Sequence, residues 1–185
     1  MNRRAPERFE FCLLTTKGAI HFESYRSWAP HGVDRFFNLL DAGYYDDTRI
    51  HRAVADRWAQ FGIHGDPEVS EVWQDRTIPD DPPGVGNERG TLAFAFAVPD
   101  GRTTQVFINL RDNRQNLDAE PFVPIARIIG GLSAIDEIFT GYGETAGGGI
   151  RGGNQTPILE GGNEFLDENF PLLDQILAAV IIAKD

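Results

Sequence analysis

The sequence predicts a mainly β domain, an antiparallel barrel with two covering helices. Three observations carry that prediction. Apolar runs of strand length recur about seven or eight times, only two segments have a helical period, and strands do not alternate regularly with helices. The last point disfavours a doubly wound parallel sheet. With 185 residues, 41% of them hydrophobic and 24% charged, residues 1–185 read as one domain that buries its core without disulfide or metal staples.

The elements follow in chain order. In "RFEFCLLTTKGAIHFESY", Phe9, Phe11 and Leu13 alternate, Lys17-Gly18 interrupts, and Ile20 and Phe22 resume, which is a β-hairpin. "APHGVDRFFNLLDAGYY" spaces Val33, Phe36, Phe37 and Leu40 at i, i+3, i+4 and i+7 and offers Gly43 as a stop, giving an amphipathic helix. The stretch from Thr48 to Asp66 is strand-like, and the Pro-rich segment after it is too aperiodic for a long helix. "GTLAFAFAV" and "TQVFINL" are strands on either side of the turn Pro99-Asp100-Gly101, and "FVPIARII" is another after the loop "RDNRQNLDAEP". "GLSAIDEIFTGYGE" predicts a second helix capped by Ser133. Residues 141–162 are Gly-rich and predict a surface loop. A short helical turn, a Pro break and a C-terminal strand extension, "ILAAVII", complete the chain.

Charge and cysteine content exclude several function classes. Seventeen Lys and Arg against 28 Asp and Glu leave a net charge of −11, which repels a phosphate backbone, so nucleic acid is not an expected partner. The single Cys12 cannot form an internal disulfide, and a reducing cytoplasm suits the chain. The first residues lack a signal-peptide apolar run, and "ILAAVIIA" is far shorter than the roughly 18 residues that span a bilayer. No membrane association is expected.

Local motifs are weak. "GYGETA" has the glycine spacing of a dinucleotide loop but lacks the preceding strand. His51, His64 and Asp66 lack tight metal-ligand spacing and no cysteine cluster exists, so no metal or other cofactor is expected; the two histidines read as hydrogen-bonded structural residues. No Gly-x-Ser-x-Gly elbow is present, and Cys12 sits among apolar neighbours. The pairs Asp46-Asp47 and Asp80-Asp81 read as solvated turn residues. What remains is a sheet surface with Arg52 and Gln60 near one another and with Gln105 and Phe107 sharing a face: a cation, two amides and an aromatic ring, without a nucleophile.

Several segments, in order from about Phe9 to Ile138, resemble the cyclophilin-type peptidyl-prolyl cis-trans isomerases. "IHRAVADRWAQFG" is similar to the family's Phe-His-Arg segment with its downstream glutamine, "RGTLAFAFA" to its Gly-x-hydrophobic-Ser/Ala-Met-Ala strand, and "TTQVFINL" to its Ser-Gln-Phe-Phe-Ile strand. "NLDAEPFVPIARIIGGLSAIDEI" resembles the continuation, and the tail looks like that of a divergent bacterial branch.

The resemblance implies a closed eight-stranded antiparallel barrel and catalysis of rotation about X–Pro bonds. It casts Arg52 as the catalytic arginine and Gln60 as its holder. Gln105 would contact the peptide, Phe107 and Leu117 would line the proline pocket, Trp58 stands where Met is usual, and Ala95 stands where the family has a small residue that contacts substrate backbone. Four positions depart from the pattern. Arg57 replaces a pocket Phe, Phe96 an Asn that contacts substrate, Asn116 the loop Trp, and Phe122 the pocket His. Expected partners are proline-containing peptides and unfolded or folding proteins, met by a monomer. The alternative is a proline-peptide binding module or chaperone with weak catalysis, motivated by Arg57 and Phe96.

Overall fold

The computed structural model describes residues 3–149 and 153–185. Strand β1 (Arg8–Thr15) and strand β2 (Gly18–Tyr25) form the expected hairpin, in register Phe11 to Phe22 and Leu13 to Ile20. Alternation turns Phe9, Phe11, Leu13, Ile20 and Phe22 inward. Helix α1 (Pro30–Asp41) lays its predicted stripe on them, with Phe36 edge-on to Phe11 at 5.1 Å between ring centres. Gly43, at φ +68°, ends that helix in the left-handed region.

Short strands β3 (Thr48–Arg49), β4 (Arg52–Val54) and β5 (Trp58–Phe61) follow, then helix α2 (Pro67–Trp73). Strands β6 (Thr91–Phe94) and β7 (Val106–Asn109), the single-turn helix α3 (Arg114–Leu117) and strand β8 (Pro124–Gly130) come next. A 3-10 helix (Leu132–Glu137), helix α4 (Thr156–Asn169) and strand β9 (Gln175–Lys184) complete the described chain. The strands form one antiparallel sheet in the order β3-β9-β1-β2-β8-β6-β7-β5-β4.

This corrects the expectation of a closed eight-stranded barrel: the sheet has nine strands and curls without hydrogen-bonded closure. The reason lies at its two edges. β3 and β4 are consecutive in sequence, joined by Ile50 and His51, and neither residue takes the positive φ that a two-residue hairpin turn needs, so the chain passes straight from one edge to the other and does not fold β4 back on β3. The edges are joined by the chain itself.

Three further expectations change. The second helix is a 3-10 segment with Gly131, not Ser133, at its cap position. The Gly-rich stretch is a loop only in part, because α4 begins at Thr156 and replaces the expected short turn. Gly161-Gly162 hides that helix from pattern reading, and Gly162 is required there: at φ +55° it kinks α4, and a Cβ would stand 2.1 Å from the Gly65 carbonyl oxygen. Asp81 is buried rather than solvated. Its carboxylate accepts the N–H groups of His31 and Gly32, both at 2.8 Å, at the start of α1, and it pairs with the buried Arg102 at 2.9 Å.

Candidate active site

The two-residue period decides which side chains face outward near the β4 edge. Ala53, Ala59, Phe61, Leu92, Phe94, Val106 and Ile108 enter the main core. Their neighbours Arg52, Trp58, Gln60, Ala93, Ala95, Gln105 and Phe107 therefore stand on the opposite face. There they meet the segment from α3 to Phe122 and, apart from the fully buried Ala93, line a cleft of about 540 Å³.

Register makes the polar half. Arg52 and Gln60 are cross-strand partners, and Gln60 is paired with Phe107 on its other side. The Arg52 guanidinium donates from Nη1 to Gln60 Oε1 at 3.0 Å, and Gln60 Nε2 donates to Gln105 Oε1 at 2.8 Å. Two contacts extend the row beyond the expected residues. Arg52 Nε donates to Glu144 Oε2 at 2.7 Å, and Gln105 Nε2 donates to Gln155 Oε1 at 2.8 Å.

The apolar half is built from Phe107, Leu117, Ala93 and Ala95, with Trp58 and Phe122 half-buried against them. Phe107 meets Phe122 edge-on at 5.8 Å, and Phe96 stacks on Phe122 at 4.2 Å. Arg57 is exposed, lying over the Trp58 ring at 5.8 Å, so the wall at this place is the indole and not the cation. Arg52 lies over the same ring at 5.3 Å. Asn116 is an exposed lining residue. All eleven positions singled out from the sequence thus line one cleft: Arg52, Arg57, Trp58, Gln60, Ala95, Phe96, Gln105, Phe107, Asn116, Leu117 and Phe122.

A buried amide network holds the Leu117 segment against the sheet. Asn113 Nδ2 donates to the Arg57 carbonyl and to Asn109 Oδ1, both at 2.8 Å, while Asn109 Nδ2 donates to Asn87 Oδ1 at 3.1 Å and to Thr91 Oγ1 at 2.9 Å. Asn87 then reaches the Phe122 carbonyl at 2.7 Å. Buried polar groups satisfied in this way fix one loop arrangement.

The two histidines separate. His64 Nδ1 accepts the Asp66 N–H at 3.0 Å, a structural contact. His51 differs from the expectation of a hydrogen-bonded residue: it is fully buried, and neither ring nitrogen meets a partner at hydrogen-bonding geometry. Burial pushes its imidazole down to about 4 from the ordinary 6.5; the Arg49 backbone and the Gln105 side chain offset part of this, and the Arg52 cation adds to it. His51 is thus neutral at pH 7.

The residues missed by sequence reasoning are Glu144 and Gln155. Both sit in the Gly-rich stretch, whose composition resembles a solvated loop. One signal was available: Glu144 is the only carboxylate between Glu137 and Glu160.

Comparison with known proteins places the chain in a family. The family model described as "Cyclophilin type peptidyl-prolyl cis-trans isomerase/CLD" matches residues 11–160. The chain is 34% identical over 110 residues to "Peptidyl-prolyl cis-trans isomerase-like 1" of Rhizopus delemar, covering 56% of this chain and 65% of that one. It is 30% identical over 132 residues to a peptidyl-prolyl cis-trans isomerase of Acinetobacter baylyi, covering 68% and 69% respectively. Among solved structures, a Cryptosporidium parvum cyclophilin type isomerase, crystallised in the presence of the dipeptide Ala-Pro, superposes with a TM-score of 0.63 at 20% identity and covers 95% of this chain and 99% of that one.

Proposed function

The chain belongs to the cyclophilin type peptidyl-prolyl cis-trans isomerases, and we propose that its cleft catalyses rotation about X–Pro bonds with Arg52 as the catalytic residue. The observation that carries the residue assignment is the aligned row Arg52, Gln60 and Gln105 beside an apolar floor. The Ala-Pro dipeptide used with the Cryptosporidium relative supports proline peptides as the ligand class.

Rotation about an X–Pro bond requires loss of amide resonance, a barrier of about 18–20 kcal/mol, and takes tens to hundreds of seconds uncatalysed. No covalent bond changes, so the site needs only to bind the twisted amide better than either planar isomer. Phe107, Leu117, Trp58 and Phe122 supply an apolar pocket of the right character for a pyrrolidine ring. With the ring held, the acyl side turns.

As the amide twists, the imide nitrogen becomes pyramidal and regains a lone pair. A guanidinium has five N–H donors. Arg52 commits two of them in hydrogen bonds, Nε to Glu144 and one on Nη1 to Gln60, with Nη2 in ion-pair contact with the same Glu144 oxygen, which leaves N–H groups on both terminal nitrogens for that lone pair. Such a donor contributes only as the transition state forms, and so raises the rate rather than ground-state affinity. In this reading the Gln105 side chain bonds the peptide backbone beside the proline, and Ala95 leaves room for that backbone.

The clients we infer are unfolded or folding proteins with accessible proline, met by a monomer in the cytoplasm. A second reading, a groove that holds proline peptides with little turnover, draws on the Phe96–Phe122 stack at 4.2 Å, which puts a second ring over the pocket aromatic.

The test compares wild type with Arg52→Ala in an X–Pro peptide assay. Loss of one preorganised donor of this kind lowers kcat/KM by about 10²–10³-fold. Wild type no faster than buffer at micromolar protein contradicts the enzyme reading, and an Arg52→Ala variant at wild-type speed contradicts the residue assignment.

A further inference from the structure

The polar row has two ends, and one chain segment holds both. Glu144 grips Arg52 at one end. Gln155 and Gln105 exchange amide hydrogen bonds of 2.8 and 3.2 Å at the other. Between them Asn154 N–H donates to the Gly148 carbonyl at 2.9 Å.

We propose that Glu144 and Gln155 are positioning residues, which fix the orientation of the Arg52 guanidinium and the Gln105 amide for X–Pro rotation. The inference rests on the assignment of Arg52 as the donor. Arginine has about 2 kcal/mol of rotamer entropy, and an unheld guanidinium would spend much of its time turned away from the imide nitrogen. Gln60 bonds one terminal nitrogen only and permits rotation about that contact. Glu144 Oε2 accepts the Nε–H and lies 2.5 Å from Nη2 in an ion pair along the opposite edge, so the guanidinium is held from both sides.

The segment is anchored well enough to do this. Gly143 pairs with Ala53, directly after Arg52. The Glu144 carbonyl accepts from Gly147 and Gly149, which closes a tight turn under the side chain. Ala146 is fully buried in a satellite core with Ile63, Ile158, Leu166 and Leu173. Gly147 lies on the Arg52 stem so closely that a Cβ there would stand 2.6 Å from Arg52 Cβ. A loop packed on that stem limits its rotamers.

Gln155 acts on the neighbouring amide. Gln105 Oε1 accepts from Gln60 and Gln155, and one Nε2 hydrogen goes to Gln155, which leaves a single N–H of Gln105 for a peptide carbonyl. The two ends therefore have separable effects. Glu144 governs the group that acts at the transition state, and Gln155 governs one that binds the peptide.

The test measures kcat and KM separately for Glu144→Ala, Glu144→Gln and Gln155→Ala, and follows the Arg52 Nε–H resonance by NMR, identified by its absence in Arg52→Lys. Glu144→Ala lowers kcat by about tenfold with KM nearly unchanged, and the Arg52 Nε–H signal broadens through faster solvent exchange. Glu144→Gln keeps an acceptor oxygen and restores both the signal and most of kcat. Gln155→Ala raises KM by about threefold at constant kcat, the scale of one exposed hydrogen bond. Glu144→Ala at wild-type kcat with an unchanged Nε–H signal overturns the proposal for Glu144, as does Glu144→Gln losing as much as Ala. An unchanged KM in Gln155→Ala overturns it for Gln155. If wild type does not accelerate exchange, the isomerase reading itself fails; if Arg52→Ala retains full activity, the assignment of Arg52 fails and the positioning role with it; if Arg52→Ala is inactive while the Glu144 variants are normal, only the positioning role fails.

Discussion

His51 occupies the boundary between the two edges of the sheet and carries a measurable signature. Its imidazole titrates near 4 in the folded protein and near 6.5 in the unfolded chain. Above pH 6.5 both states hold it neutral, and it contributes no pH dependence. Between 6.5 and 4 the unfolded state binds the extra proton, so stability falls as pH falls, by about 3 kcal/mol in all. Below 4 the native ring also protonates and the loss levels off. Urea titrations of wild type and His51→Gln between pH 7 and pH 4 isolate this slope from that of the carboxylates. The difference between the two proteins grows through that window; parallel pH profiles would contradict the burial account. At this scale the sequence was partly legible. Outward positions such as Arg52 and Gln60 follow from alternation, but full enclosure of His51 does not, because it depends on how the curled sheet brings Gln105 over it.

Asp81 shows the same limit for elements. A carboxylate in "IPDDPPG" carries the local signs of a turn, and nothing near it in sequence indicates that α1 and Arg102 converge on it. The contact joins the start of α1, the Pro-rich excursion and the β6–β7 connection, the last two of which also meet at a single backbone bridge, Ile78 with Arg102. Removing one partner of a buried pair leaves an uncompensated charge, at a cost of about 3–5 kcal/mol. Asp81→Ala therefore lowers the urea midpoint of unfolding by a corresponding amount. A shift equivalent to less than about 1 kcal/mol would mean that water replaces the pairing. The strands and α1 were readable because their periods are local. The 3-10 helix was read as a helix but with the wrong cap, because two turns at three residues per turn carry too little period to separate 3-10 from α, and α4, interrupted by Gly161-Gly162, was read only as a short turn.

For the whole molecule, the order β3-β9-β1-β2-β8-β6-β7-β5-β4 explains why function collects at one edge. β9 lies between β3 and β1, at the far end of the sheet from β4, and no local signal specifies a pairing such as Leu13 with Ala179. The short β4 and β5 turn a polar row outward where Phe107 and the α3 segment supply apolar cover. That site was legible as a set of residue types, since strand alternation and the family resemblance reached the same positions. Its closure by Glu144 and Gln155 was not, since both partners come from a Gly-rich stretch far along the chain, 92 residues from Arg52 and 50 from Gln105. The central claim, that this cleft accelerates X–Pro rotation through Arg52, is tested most directly by exchange NMR on a proline peptide with catalytic amounts of protein. Wild type should produce cis–trans exchange cross-peaks whose rate scales with protein concentration while the cis to trans ratio stays fixed, and Arg52→Ala should not. Saturable shift changes with wild type, without any exchange above the uncatalysed rate, would contradict the account and leave a peptide-binding groove.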